Sequence, residues 1–258
     1  PGFGELDFLV KPFLALMLSK LRLYDQIACQ RPDVYVAISS TVQKRIKKYY
    51  GRDSEIVYPP VDTNLFKIKN KISKIKIASQ KSKVPEERFF LIVSRLVPYK
   101  NIDLAIKVFN DLGWKLKIAG TGVEENKLKT MAKDNIEFLG ELTDQELLRY
   151  YQDCAALLVC GEEDFGLVSL EAQACGKPAI ALNCAGATET VISGKTGLLF
   201  NKPEIKSLKD ILKKFKEKKF KAEDCQKNSQ KYTKAVFKES FSELVKNLWQ
   251  KHQQKIII

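Results

Sequence analysis

Histidine is nearly missing from this sequence, which contains one, His252, among 258 residues. The six cysteines form no Cys-x-x-Cys pair, and several of them lie inside apolar runs, as Cys160 does. A structural zinc site needs about four cysteine or histidine ligands close together. We therefore expect no metal site, and we interpret the cysteines as reduced, buried thiols of the kind that cytosolic proteins contain.

Long apolar stretches are missing as well. A membrane-spanning helix needs about 20 consecutive apolar residues, whereas the most apolar segment, residues 8–18, is interrupted by Lys11 and Pro12. No signal peptide is visible, and the first residue is Pro1. The sequence therefore predicts a cytoplasmic protein, and we interpret the chain as a fragment or as a processed or trimmed form of a longer one.

Negative charge is scarce near the C-terminal end. The net charge is +13, and residues 202–258 contribute +9 of it, with 16 lysines against 7 acids. We interpret this segment as a solvated, lysine-rich helical face, with peripheral contact to anionic lipid at the inner face of the membrane as an open alternative. Nucleic acid is not expected as a partner, because arginine clusters, interleaved exposed aromatics and nucleic-acid-binding motifs are missing.

Residues 89–200 alternate short apolar runs with amphipathic segments. One of these segments, residues 101–112, places Ile102, Ile106 and Phe109 on one face of a helix. Strands are predicted at 89–94, 115–119, 135–139, 155–159, 178–182 and 197–200. This alternation predicts an α/β fold with a doubly wound parallel sheet, which binds ligands at the carboxyl ends of its strands.

Two glutamates flank a predicted strand-to-helix turn. Glu163 lies in the acidic loop, and Glu171 lies in the helix that follows. Between them, the amides of Phe165, Gly166 and Leu167 fall at the start of the helix, where N–H groups lack intrahelical partners and attract anions. A carboxylate, an anion site and a second carboxylate suit a sugar, a diphosphate and a ribose laid end to end. Acids that merely favour the helix dipole are the alternative.

Two cations follow the first predicted strand of the same sheet. Arg95 and Lys100 lie in the loop at the carboxyl end of that strand, just before the helix at 101–112. Arginine holds a diphosphate with a planar fork of donors, and lysine holds it as a point charge. A solvated pair is the alternative for these two residues taken alone, but the paired glutamates favour a binding site.

The combined motifs resemble the donor domain of the family 4 (group 1) retaining glycosyltransferases, which have two Rossmann-like domains in the GT-B fold. They are the loop Ser94 to Lys100, the segment Glu163 to Glu171 with its Phe-Gly, Gly186-Ala187-Thr188-Glu189, and Gly194-Lys195-Thr196-Gly197. The loop Ser94 to Lys100 and the segment Tyr58 to Thr63 look closest to mannosyltransferase-like members of the family that build O-antigen and related polysaccharides. The resemblance covers about residues 20–201 of the printed sequence.

The resemblance implies roles for the motif residues. As catalytic residues, Arg95 and Lys100 would hold the donor diphosphate and stabilise the leaving nucleotide, and Glu163 would contact hydroxyls of the transferred sugar. The implied donor-binding residues are the amides of Phe165, Gly166 and Leu167 at the sugar and phosphate, Glu171 at the ribose, Gly120 and Gly122 along the nucleotide pocket, and Leu139 near the base. The implied reaction transfers a hexose with retention to a glycan or lipid-linked acceptor, and it needs neither a metal nor a cofactor. GDP-mannose is the expected donor, with UDP- and ADP-sugars as open alternatives.

The same resemblance predicts the domain organisation. Residues 1–66 would be the remnant of the first, acceptor-side domain with crossing helices, and the lysine- and serine-rich residues 67–84 would be a linker. Residues 85–220 would form the donor-binding domain. Residues 221–258 contain an apolar stripe from Phe237 to Leu248, which predicts amphipathic helices that pack back on the N-terminal part.

Much of the first domain, including its catalytic histidine, has no counterpart here, and His252 matches no family motif. We therefore expect a competent donor domain that transfers poorly or not at all alone. A non-catalytic binding module, or one part of a split enzyme completed by a missing N-terminal partner chain, stays open as an alternative. A dinucleotide-binding oxidoreductase is disfavoured because Gly120 and Gly122 lack a third glycine, and a phosphate-loop NTPase because the glycine required before Gly194 is replaced by Glu189.

Overall fold

The computed structural model describes residues 7–66 and 88–256, so the predicted linker at 67–84 lies outside the described residues. The chain divides into two compact units, one that ends at Ile56 and one that begins at Val57. Among the residues described, no helix combines the length and the apolar character that crossing a lipid bilayer requires.

The first unit contains two helices and two short strands. They are α1 (Asp7–Ala28), β1 (Tyr35–Ala37), α2 (Ser40–Tyr50) and β2 (Ser54–Ile56), and β1 pairs with β2 in parallel. Ser39 caps the start of α2, because its hydroxyl accepts a hydrogen bond of 3.1 Å from the Val42 amide. The helix ends at Gly51, whose φ of 66° is the left-handed conformation that glycine adopts without strain.

Helix α1 exposes apolar side chains on all of its faces. Every residue from 11 to 27 is exposed, including Phe13 at 64%, Leu23 at 64% and Tyr24 at 63%. Single exposed apolar residues are common on soluble proteins, but a contiguous apolar surface of this kind marks a contact region. Residues 11–27 of α1 therefore include no buried side chain.

The second unit is built on a six-stranded parallel sheet. Its strands are β3 (Phe90–Val93), β4 (Leu116–Ala119), β5 (Ile136–Gly140), β6 (Leu157–Val159), β7 (Ala179–Leu182) and β8 (Gly197–Phe200). The order across the sheet is β5-β4-β3-β6-β7-β8, and every neighbouring pair is parallel. The chain thus adds β4 and β5 on one side of β3 and then adds β6, β7 and β8 on its other side. This change of side creates a topological switch point at the carboxyl ends of β3 and β6.

Helices cover both faces of this sheet. They are α3 (Ile102–Leu112), α4 (Glu125–Met131), α5 (Asp144–Asp153), α6 (Leu167–Ala174), α7 (Ala187–Thr190) and α8 (Ile205–Glu217). Alternate side chains of β3 enter two separate cores, with Phe90 and Ile92 in one and Leu91 in the other. The predicted doubly wound α/β class is confirmed, and each predicted strand from 89 to 200 lies within about two residues of its expected bounds.

The C-terminal segment begins against the sheet domain and continues as a long helix. Helix α9 (Ala222–Ser229) is tied to α6 because the Asn228 amide donates to Gln173 Oε1 at 2.8 Å. Helix α10 (Lys234–Ile256) follows, and the apolar stripe predicted on it is only partly covered, since Phe241 is 41% and Val245 is 48% exposed. The predicted domain boundaries, and the packing of this tail on the N-terminal part, stay predictions.

The beginning of the second unit meets the start of this tail. Val61 forms an isolated parallel bridge with Thr233, and its amide donates to the Tyr232 carbonyl at 2.7 Å. One residue further along both segments, Asp62 and Lys234 form an ion pair. Backbone and side-chain contacts therefore fasten residues 61–62 to residues 232–234.

Candidate functional site

The loops after β3 and β6 meet at the switch point of the sheet. Lys100 Nζ lies 2.6 Å from Glu163 Oε1 and donates to the Glu162 carbonyl at 3.1 Å. The side chains of Lys100 and Glu163 are only 11% and 22% exposed. The structure therefore brings together one predicted cation and one predicted carboxylate, separated by 63 residues in the sequence, in the crevice where parallel α/β sheets bind ligands.

The backbones of the two loops touch at Gly161. A Cβ atom at this position would lie 2.4 Å from Lys100 Cα and 2.6 Å from the Tyr99 carbonyl oxygen. Asn101, at a φ of 51°, adds a side-chain bond of 3.3 Å from Nδ2 to the Cys160 carbonyl. The position of Lys100 is thus fixed by backbone contact with the β6 loop.

Arg95 lies on the exposed side of the same loop. Its Nη2 atom donates to the Tyr99 hydroxyl at 2.9 Å. Residues 98–100 form one turn of 3₁₀ helix after the extended residue Val97, and Arg95 and Lys100 both lie within reach of the Tyr99 side chain. The Lys100 ammonium lies 4.9 Å from the centroid of the Tyr99 ring.

Gly120 and Gly122 lie directly against the loop that contains Arg95. A Cβ atom at Gly120 would lie 2.0 Å from the Ser94 carbonyl oxygen, and one at Gly122 would lie 2.4 Å from the Leu96 carbonyl oxygen. Because these two glycines have no side chain, the loop after β4 packs directly against the loop after β3. Contact of either glycine with a nucleotide stays a prediction.

The acidic loop leads into α6 through Gly166. This residue has a φ of 97° and occupies the N-cap position without a side-chain hydrogen bond. Within the described residues, the amides of Phe165, Gly166 and Leu167 donate to no backbone carbonyl outside the helix. N–H groups at a helix start lack intrahelical carbonyl partners and attract anions, and binding of an anion at these three residues stays a prediction.

A cluster of three aromatic rings holds Phe165. The ring of Tyr58 stacks on Phe165 with centroids 5.4 Å apart, and Tyr232 meets Phe165 edge-on at 5.5 Å. The Tyr232 hydroxyl donates to the Glu189 carbonyl at 3.1 Å, and the Gly186 amide donates to the Glu163 carbonyl at 2.8 Å. Segments from distant parts of the sequence therefore position the acidic loop.

Glu171 occupies the second turn of α6 and contacts α5. Its Oε2 atom accepts a hydrogen bond of 2.7 Å from the hydroxyl of Tyr151, which is fully buried. Burial raises the pKa of the Glu171 carboxyl above its ordinary 4.5, against the lowering effect of the Tyr151 hydrogen bond, and the charge of Asp144 raises it further. Burial also keeps the pKa of Tyr151 well above 10.0, so the phenol remains a donor.

Substitution of Glu171 by glutamine is expected to raise thermal stability at neutral pH. The folded-state pKa lies above the unfolded value, so ionisation of Glu171 reduces the free energy of unfolding as the pH rises through the folded pKa, and this loss is absent below pH 4.5. Glutamine keeps an acceptor for Tyr151 and removes the charge. Melting temperatures of Glu171→Gln and the parent protein should therefore differ at neutral pH and converge in acid.

Glu146→Gln provides a control of opposite sign. Hydrogen bonds from the Thr143 amide and hydroxyl lower the pKa of Glu146, so its ionised form stabilises the folded state. This variant should melt lower than the parent at neutral pH, with the difference shrinking as the pH falls through the folded pKa. Equal pH dependence of Glu171→Gln and the parent would contradict the assigned environment of Glu171.

Leu139 lies on a strand away from the switch point. It belongs to β5, an edge strand separated from β6 by β4 and β3, and it packs against one of the two cores. The structure does not bring Leu139 to the Lys100–Glu163 pair, and its proximity to a base stays a prediction. Sequence reasoning missed Tyr99, although it stands between Arg95 and Lys100, and missed Tyr151, which no local pattern connects with Glu171.

Comparison with known proteins relates the chain to glycosyltransferases. The α-1,3/1,6-mannosyltransferase ALG2 of Dictyostelium discoideum is 26% identical in an alignment of 249 positions that covers 81% of this chain and 59% of that protein. A GDP-mannose-dependent monoacylated α-(1-6)-phosphatidylinositol monomannoside mannosyltransferase of Corynebacterium glutamicum is 29% identical in an alignment of 198 positions that covers 70% of this chain and 52% of that protein. The chain thus spans about half to three fifths of the length of these relatives.

A solved structure and a family profile point in the same direction. Anabaena Alr3699/HepE in complex with UDP and glucose matches with a TM-score of 0.73 at 22% identity, over 88% of this chain and 67% of that one. At this identity the likeness supports the fold, which is that of GT-B glycosyltransferases. The profile described as glycosyl transferases group 1 matches residues 73–232, which is more than half of the sequence. The chain therefore belongs to the group 1 glycosyltransferase family.

Proposed function

We propose that this chain is the donor-binding part of a retaining, family 4 glycosyltransferase that transfers a hexose from a nucleotide diphosphate sugar to a glycan or lipid-linked acceptor. The observation that carries the proposal is the contact of 2.6 Å between Lys100 and Glu163 at the switch point of the sheet. A cation suited to phosphate and a carboxylate suited to sugar hydroxyls are thereby held side by side, where the bond between phosphate and sugar would lie.

The proposed chemistry depends on negative charge that develops on the departing nucleotide diphosphate. Arg95 and Lys100 would stabilise this charge, together with the amides at the start of α6. Glu163 would accept hydrogen bonds from hydroxyls of the transferred sugar, and Glu171 from the ribose. The retention of anomeric configuration and the absence of an essential metal are proposed from the family resemblance alone.

Mannose from GDP-mannose is the donor that we propose first. The Corynebacterium relative is named for dependence on GDP-mannose, and the Dictyostelium relative is named as a mannosyltransferase. The Anabaena structure, in contrast, contains UDP and glucose. A UDP- or ADP-sugar is therefore the alternative, and direct binding measurements decide between them.

Titration calorimetry of the whole chain with GDP-mannose, GDP, UDP-glucose and ADP-glucose tests the proposal. We expect one nucleotide sugar to bind selectively and Arg95→Ala to weaken it by about tenfold or more, because a charge-assisted hydrogen bond contributes about 1.5–3 kcal/mol. Arg149→Ala, the same change in α5, is the matched control and should leave affinity unchanged. A folded chain that binds none of the four ligands would contradict the proposal.

A nucleotide-sugar-binding module without its own transfer activity is the second candidate. The exposed apolar surface of α1 favours it, because such a surface is typical of contact regions completed by another polypeptide segment. The two candidates differ in turnover. A binding module would retain donor affinity in calorimetry but release no nucleoside diphosphate on incubation with donor and acceptor extracts, whereas a competent transferase would release it in proportion to added acceptor.

A further inference from the structure

Tyr99 contacts both of the cations that the proposed function assigns to the donor diphosphate. Its hydroxyl accepts from Arg95 Nη2 at 2.9 Å, and its ring centroid lies 4.9 Å from Lys100 Nζ. The side chain is 52% exposed and belongs to neither of the two cores of the sheet domain. The fold itself therefore does not require an aromatic residue at this position.

The chemistry of tyrosine suits a residue that holds two cations for an anionic ligand. The face of an aromatic ring attracts an ammonium group, and a phenolic oxygen accepts a hydrogen bond from a guanidinium group. Neither interaction introduces a carboxylate, which would neutralise a cation and compete with a phosphate. A tyrosine thus restrains both side chains without adding a negative charge of its own.

Lys100 receives a second restraint from Glu163. Glu163 Oε1 lies 2.6 Å from its ammonium, so Lys100 is held between a carboxylate and an aromatic ring. Arg95 is more exposed, and the Tyr99 hydroxyl is the side-chain acceptor that the described structure provides for it. Loss of this hydroxyl should therefore free the guanidinium more than it frees the lysine.

We infer that Tyr99 is a positioning residue that presets Arg95 and Lys100 for the diphosphate group of the donor. The inference rests on the proposed function and extends it to a residue that would not touch the substrate. Ordering a long arginine side chain before the ligand arrives reduces the entropy cost of binding, so the effect of Tyr99 should appear in the affinity for the diphosphate.

The test is a double-mutant cycle with Tyr99→Phe, Arg95→Ala and the combined variant, measured by calorimetry. The ligands are inorganic pyrophosphate, the nucleoside diphosphate that binds best, and the matching nucleoside. Tyr99→Phe should weaken both phosphate ligands by about three- to tenfold and leave the nucleoside unaffected. In the Arg95→Ala background it should have no further effect, because the hydroxyl would act through Arg95.

Tyr99→Leu separates the ring from the hydroxyl. This variant should lose more phosphate affinity than Tyr99→Phe, since it also removes the ring face beneath Lys100, and its melting temperature should equal that of the parent because the side chain is half exposed. A merely structural role would lower the melting temperature and would affect the nucleoside as well.

The outcomes distinguish the positioning role from the proposed function. Pyrophosphate binding that depends on Tyr99 through Arg95, in a chain that binds no nucleotide sugar, would support the role of Tyr99 and overturn the proposed donor. Equal losses from Tyr99→Phe with and without Arg95 would overturn the positioning role and leave the donor proposal intact. Failure of the folded parent chain to bind any of the phosphate ligands would overturn both.

Discussion

Replacement of Lys100 by methionine is expected to weaken the binding of a nucleotide sugar by about ten- to hundredfold, measured by calorimetry. The change removes a cation whose side chain is 11% exposed and leaves the Glu163 carboxylate in the crevice without this partner. A carboxylate that has lost its cation repels the diphosphate of the ligand, so the loss should exceed that of a single hydrogen bond.

Lys107→Met is the matched control for this prediction. Lys107 forms an ion pair of 2.7 Å with Asp103 on the surface of α3, and its side chain is 48% exposed. The same change of charge and of side chain there should alter affinity less than about twofold, because exposed ion pairs contribute little and act over short distances in salt. Similar losses in the two variants would show that net charge, rather than the position of Lys100, determines binding.

Glu163→Gln should act in opposite directions on two ligands. In the free protein Lys100 is engaged with Glu163 Oε1 at 2.6 Å, so a diphosphate must compete with the carboxylate for the ammonium. Removal of the negative charge should therefore tighten the binding of a bare nucleoside diphosphate. It should weaken the binding of the nucleotide sugar, whose hydroxyls lose a charged acceptor. A uniform change for both ligands would contradict a contact between Glu163 and the sugar.

Gly161→Ala is expected to destabilise the protein by about 3 kcal/mol or more and to abolish donor binding. The new methyl group would lie 2.4 Å from Lys100 Cα and 2.6 Å from the Tyr99 carbonyl oxygen, and both of these are backbone atoms that cannot rotate away. The β3 and β6 loops must separate, which costs packing energy and moves Lys100 away from Glu163. Urea unfolding and calorimetry measure the two effects.

Gly113→Ala is the control for loss of a glycine as such. Gly113 ends α3 at a φ of 67°, and a Cβ atom there would meet nothing within 4 Å. We expect a cost of about 1–2 kcal/mol from the left-handed conformation and no change in donor affinity. A Gly161→Ala variant as stable as Gly113→Ala, with unchanged affinity, would show that the two loops can part without consequence.

Local patterns in the sequence predicted the strands and helices of the sheet domain well. The alternation of apolar and amphipathic segments depends on neighbouring residues, so the pattern identifies each element without knowledge of its partners. Local patterns do not predict the order of the strands, because that order depends on contacts between distant segments. The adjacency of β3 and β6 brings Lys100 and Glu163 together, although 63 residues separate them in the sequence. The sequence indicated both residues as ligands of one donor but could not indicate that they would contact each other.

Local patterns in the sequence also could not predict side-chain contacts between separate segments. The bond between Tyr151 and Glu171 joins neighbouring helices 20 residues apart, and the cluster of Tyr58, Phe165 and Tyr232 joins three separate segments. The sequence around a tyrosine in an amphipathic helix follows the same pattern whether the tyrosine hydroxyl donates to a carboxylate or to water. The exposed part of the α10 stripe has a similar origin, because periodicity predicts an apolar face but not what covers it.

The bridge between Val61 and Thr233 brings the two ends of the segment that contains the six-stranded sheet side by side. A segment whose two ends lie side by side can be exchanged as a cassette, since a new host protein needs to supply only a pair of adjacent attachment points. The ion pair between Asp62 and Lys234 lies at the same place and would travel with the cassette. Residues 61 and 234 are therefore suitable boundaries for transplanting this sheet, with its loops and their charges, into another protein.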